Sequence, residues 1–74
     1  MREINQLAKR KQNMTTDEIR ATPDGGKIYL RFYDIYAEVI HKNRLGVWVL
    51  PEQSNEWYGI VAGKDFFVRN NNLY

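Results

Sequence analysis

Apolar residues recur along this chain with two different periods. Over residues 2–13, Ile4, Leu7 and Ala8 follow the i, i+3, i+4 spacing of one helix face, and Met1 and Met14 extend the stripe. The spacing predicts a short first helix, with Lys9, Arg10 and Lys11 near its C-terminal end, where cations suit the dipole. Thr15 and Glu18 then stand at capping-box spacing, and Met14 and Ile19 at the spacing of a hydrophobic staple. A second helix is expected over about Thr16 to Ala21. Pro23 ends it by disfavouring helical geometry at Thr22, and Asp24-Gly25-Gly26 supplies a turn.

From Lys27 the period is two. Ile28, Leu30 and Phe32 alternate with Tyr29, Arg31 and Tyr33, and Ile35, Ala37 and Val39 alternate with Tyr36, Glu38 and Ile40. Asp34 marks a break or bulge between these runs. Phe32, Ile35, Tyr36, Val39 and Ile40 also fit a helix face, so residues 28–41 admit a helical alternative. β-branched and aromatic residues dominate the stretch and favour strand. Lys42-Asn43-Arg44 reads as a hairpin tip with Asn43 able to take positive φ. Leu45 to Leu50 is the clearest central strand, and Pro51 ends it. After a polar loop at 52–55, strands over Glu56 to Val61 and Asp65 to Arg69 are expected to form a hairpin around Ala62-Gly63-Lys64. The prediction is an α+β single domain over 1–74. Its helical segment (1–22) carries two short N-terminal helices, packed on an antiparallel β-meander of four or five strands (27–69), either an open sheet or a small barrel. Residues 70–74 form a tail, in which Leu73 and Tyr74 pack back or lie free.

Composition sharpens this picture. All ten aromatic residues follow residue 26. So small a chain must bury some of them, and Phe32 with one of each pair Trp57/Tyr58 and Phe66/Phe67 are the core candidates. Strand alternation then turns Tyr29, Tyr33, Tyr36 and Trp48 away from the aliphatic face. They form an exposed aromatic band unless the N-terminal helices cover it.

The net charge of +2 is unevenly placed. Residues 1–12 carry Arg2, Lys9, Arg10 and Lys11 against Glu3, a balance of +3. Residues 13–26 stand at −2 and residues 27–74 at +1. The absence of cysteine removes disulfides and thiolate metal sites. The charged opening Met1-Arg2-Glu3-Ile4-Asn5 is unlike a signal peptide, and no apolar run approaches a membrane span, so a cytoplasmic location is expected.

Material for catalysis is scarce. One histidine (His41), one serine (Ser54) and no cysteine leave little for a nucleophile–base pair or a zinc or iron site. Asp34 and Glu38 would lie roughly 13 Å apart on an extended strand, too far to share a proton; only a helix would make them i, i+4 neighbours able to hold a hydrated divalent ion. The phosphate-loop pattern is absent, since Gly63-Lys64 follows a strand without opening a helix. These observations point away from an enzyme and from any cofactor or metal.

The expected function is binding to another protein, with Tyr29, Tyr33, Tyr36 and Trp48 as contact residues, because exposed Trp and Tyr suit an interface anchor. A small, cysteine-free, catalytically empty chain is by analogy typical of phage or mobile-element proteins, as an inhibitor or accessory subunit. The alternative is a nucleic-acid-binding module that uses Arg2, Lys9, Arg10 and Lys11 on phosphates and the aromatic sheet face on bases. It lacks any RNP-like, KH-like or zinc-finger pattern. Homo-oligomerisation is compatible with both.

Overall fold

The computed structural model describes residues 14–74. The helix expected over 2–13, with Arg2, Lys9, Arg10 and Lys11, lies outside the described residues. Helix α1 spans Thr16–Ala21, and both arms of its capping box form. The Glu18 amide donates to Thr15 Oγ1 at 3.2 Å, and the Thr15 amide donates to Glu18 Oε1 at 2.8 Å. Thr22 at the C-terminal end is extended, as the following proline requires. Six residues are too few for a free-standing helix, so docking must hold this one. Ile19 is fully buried and Met14 packs beside the same core. The Arg20 guanidinium donates to Asn70 Oδ1 at 2.8 Å, tying α1 to the far end of the chain.

Four strands follow: β1 (Lys27–Leu30), β2 (Ile35–Lys42), β3 (Gly46–Pro51) and β4 (Phe66–Arg69). They form an antiparallel meander in chain order, open at β1 and β4. Residues 28–41 are therefore two strands rather than a helix, and the sheet does not close into a barrel. The Asp24-Gly25 turn docks directly on β2. The Gly25 amide donates to the Val39 carbonyl at 2.7 Å, and the Val39 amide to the Gly26 carbonyl at 2.9 Å. Gly25 serves this turn at φ 88°.

Between β1 and β2 the chain reverses through Arg31 to Asp34, with Asp34 at φ 54°. The expected strand through Phe32 thus ends at Leu30, and Phe32 is thrown to the surface instead of the core, at 48 % exposure. At the β2–β3 tip Asn43 works through its side chain. Its carbonyl oxygen accepts from the amides of Leu45 (2.8 Å) and Gly46 (3.1 Å). Ile40 is inserted as a bulge, after which His41 stands opposite Trp48.

Residues 56–61 do not form a strand. Glu56–Tyr58 is a single 3-10 turn, and only the Asn55–Ile60 bridge resembles pairing. The Asn55 side chain accepts the Trp57 amide at 3.1 Å, and Gly59 closes the turn at φ 69°. That local chemistry outcompetes the ladder, and the meander has four strands, the lower of the two expected counts.

The core is aliphatic. Ile28, Leu30, Ile35, Val39, Val47 and Val49 from one sheet face meet Ile19, Ile60 and Leu73. None of the ten aromatic residues is fully buried. The C-terminal segment turns back through Asn70–Asn72, buries Leu73, and brings Tyr74 under the Arg31 guanidinium at 5.0 Å.

Candidate functional site

The four expected contact residues do not share one surface. Tyr29 and Tyr36 are cross-strand partners with ring centroids 5.0 Å apart. Trp48 lies on the same outer face but at the other end of the sheet, level with His41. Tyr36 is level with Glu52, whose amide donates to the Tyr36 carbonyl, so four residues of strand separate it from Trp48, about 13 Å. The intervening positions are Glu38 and, opposite it, the half-buried Leu50; Lys27 forms an ion pair with Glu52 and lies 3.8 Å from Glu38. Tyr33 leaves the group altogether. Alternation would keep it with Tyr29 only if the strand ran on, and the Arg31–Asp34 reversal carries it to the core side.

Tyr29 is committed locally. Its hydroxyl donates to Asp34 Oδ1 across the turn. That hydrogen bond, with burial and the Asp34 charge behind it, pushes its pKa from 10.0 up to about 12.

Tyr33 nucleates a second aromatic group at the β1–β2 turn. Its ring meets Phe32, Tyr58 and Phe66 edge-on at centroid distances of 4.9, 5.2 and 5.6 Å. Phe32 and Tyr58 are 5.6 Å apart. Edge-to-face packing of this kind fixes ring orientation as well as burying area. Burial raises the pKa of the Tyr33 hydroxyl, opposed in part by a hydrogen bond with Asn72. A cleft of about 260 Å³ opens between Tyr33, Tyr58 and Phe66, with Ile60 and Val61 on its wall and Lys64 and Asp65 at its rim.

Trp57 stands beside this cleft at 85 % exposure, the most exposed of the large hydrophobic side chains described. Its backbone is nonetheless held. Asn55 caps the turn, exchanges backbone hydrogen bonds with Ile60 at 2.9 and 3.0 Å, and donates its side-chain amide to the Tyr33 carbonyl at 2.7 Å. Sequence reasoning placed one of Trp57 and Tyr58 in the core, and neither is there. The legible signal was Asn55 and Gly59, a cap residue and a left-handed residue four apart, bracketing a turn around the aromatic pair.

The groups considered for chemistry stay apart. His41 stands near the β2–β3 tip, whereas Ser54 follows β3 at the opposite end of the sheet and accepts the Ala62 amide at 3.0 Å. Asp34 holds Tyr29, and Glu38 lies on a strand beside Lys27. Among the described residues no group of three His, Cys, Asp or Glu side chains converges, and no helix is long and apolar enough to cross a membrane. Comparison with protein-family models, curated proteins and solved structures finds no match to this chain.

Proposed function

We propose that this chain is a non-enzymatic binding module that acts by contact with another protein, through the 56–58 turn and the cleft beside it. One observation carries the reading: Trp57 stands almost fully exposed on a turn whose backbone is fixed by Asn55 and Gly59. Leaving a tryptophan in water forfeits a burial gain of the order of 2–3 kcal/mol, which a partner's pocket would recover. Because the turn is already ordered, binding costs less conformational entropy.

Two further features favour a protein over other ligands at this place. The cleft, at about 260 Å³, falls below the roughly 300–1,000 Å³ of small-molecule sites and suits one inserted side chain. The nearby charges are mixed, with Glu56 and Asp65 against Lys64, which disfavours a polyanion. Contact then takes two directions, Trp57 entering the partner and a partner side chain entering the cleft between Tyr33 and Phe66. A role as inhibitor or accessory subunit fits such a module.

A photo-crosslinking residue (p-benzoylphenylalanine) in place of Trp57, irradiated in the native host, tests this directly. The expected product is a discrete protein adduct at position 57, absent when the same residue replaces the solvent-facing Asp17. No adduct, or one that nuclease digests, overturns the reading.

A further inference from the structure

The outer sheet face ends, near the β2–β3 tip, in a surface unlike the one around Trp57. Trp48 and Phe67 are cross-strand partners with ring centroids 5.4 Å apart and planes tilted by 52°. Trp48 is 38 % exposed. His41 stands opposite Trp48 on the other side, and Arg69 follows Phe67 at the same strand parity. Exposed Arg44 sits at the adjoining tip. Among the described residues only Lys27 forms ion pairs, at the other end of this face, where it engages Glu38 and Glu52. No described carboxylate forms an ion pair with Arg44 or Arg69. The face therefore joins an aromatic pair to two arginines that form no ion pair among the described residues, with Glu38 the nearest outer-face carboxylate on β2, beside Lys27.

We infer that this end of the sheet binds single-stranded nucleic acid, with bases stacked on Trp48 and Phe67 and the backbone phosphates on Arg69 and Arg44. Aromatic side chains on an open antiparallel sheet accept the faces of unpaired bases, and flanking arginines supply the phosphate contacts. A duplex hides its base faces and fits this surface poorly. The inference goes beyond the proposed protein contact and uses a different face and the opposite end of the sheet. A chain with both sites would hold a protein partner against a single strand.

The chain contains two tryptophans, so the Trp57→Phe variant of the 74-residue chain leaves Trp48 as the sole tryptophan reporter. Titration with ten-nucleotide oligo(dT) and oligo(U) should quench Trp48 fluorescence. Comparing the two strands separates DNA from RNA as the preferred source of the same chemistry. With two phosphates neutralised, affinity should fall about seven-fold between 50 and 200 mM salt. Arg44→Gln/Arg69→Gln, which leaves the core intact, should weaken binding and flatten the salt dependence. Trp48→Ala, followed by anisotropy of a labelled oligonucleotide, should cost about ten-fold. Circular dichroism confirms that each variant is folded. Four outcomes overturn the inference. One is absence of quenching at low salt. A second is equal affinity for duplex. A third is binding that survives Arg44→Gln/Arg69→Gln but disappears when Lys9, Arg10 and Lys11 become Glu, which places the affinity in the N-terminal residues. The fourth is a protein partner that is lost with Trp48→Ala while no oligonucleotide binds.

Discussion

Asp34 sits at φ 54°, a conformation a side chain enters at a cost, and its carboxylate accepts the Tyr29 hydroxyl across the β1–β2 turn. The neutral phenol is the form that donates, so the native state holds the proton to about pH 12, against 10.0 for a free tyrosine. A raised native pKa means that this contribution is fully present below pH 10. It is lost as pH climbs from about 10 through about 12. Absorbance titration at 295 nm should therefore show a tyrosine ionising near pH 12 that is missing from Tyr29→Phe. A high-pH titration unchanged in Tyr29→Phe, apart from the loss of one ordinary tyrosine, would remove the bond. Gly46 is constrained by space rather than by φ. A Cβ there would lie 2.1 Å from the Val68 carbonyl oxygen and 2.8 Å from the Phe67 ring, because β4 crosses it closely opposite Arg69. Gly46→Ala is expected to destabilise the fold by about 1–3 kcal/mol in urea melts, since backbone must give way.

Among the elements, α1 is the one whose limits the sequence shows best, and removing its cap should be felt. Thr15→Ala deletes the acceptor for the Glu18 amide and should cost about 1 kcal/mol in denaturant melts. Capping is legible because it is local: donor, acceptor and staple all lie within the six residues Met14 to Ile19. β3 is legible for a similar reason, since Val47 and Val49 point inward and Trp48 outward without interruption. Three features were not legible. Asp34 reads as a break, but not as the end of a full reversal over 31–34, which contains neither glycine nor proline and whose anchor is a side-chain bond closed only once the strands pair. The Ile40 bulge resets parity within β2, so alternation alone misplaces His41. The 56–58 turn depends on Asn55 reaching Tyr33, 22 residues away. For this reason the expected aromatic band divides into the Tyr29–Tyr36 pair, the Trp48–Phe67 pair and the Tyr33 cluster. Packing gives Trp48 an intermediate weight: Trp48→Ala should cost about 1–2 kcal/mol by losing the Phe67 pair and part of its buried area. Leu30→Ala, in the dry core, should cost about 2–5 kcal/mol. Equal losses in thermal melts would place Trp48 in the core.

At the scale of the whole molecule, a small aliphatic core supports a surface rich in large aromatics. Core positions are taken by Ile, Leu and Val from the inner sheet face, α1 and the C-terminal segment, which leaves Phe32, Trp48, Trp57 and Tyr58 partly or wholly in water. Such exposure is costly to solubility in a chain with a net charge of only +2. It is explained if partners cover it. The Tyr33 cluster and the Trp48–Phe67 pair also differ in charge, with mixed charges around the cleft and, beside Trp48, arginines that form no ion pair among the described residues. This difference makes the protein contact testable by one comparison of folded variants. Affinity capture from nuclease-treated host extract is carried out with the tagged wild type, Trp57→Ala and Trp48→Ala, each first shown to melt as a folded chain. The account predicts a discrete protein retained by wild type and by Trp48→Ala and lost with Trp57→Ala. Retention of that protein by folded Trp57→Ala, or its loss with Trp48→Ala alone, would contradict it.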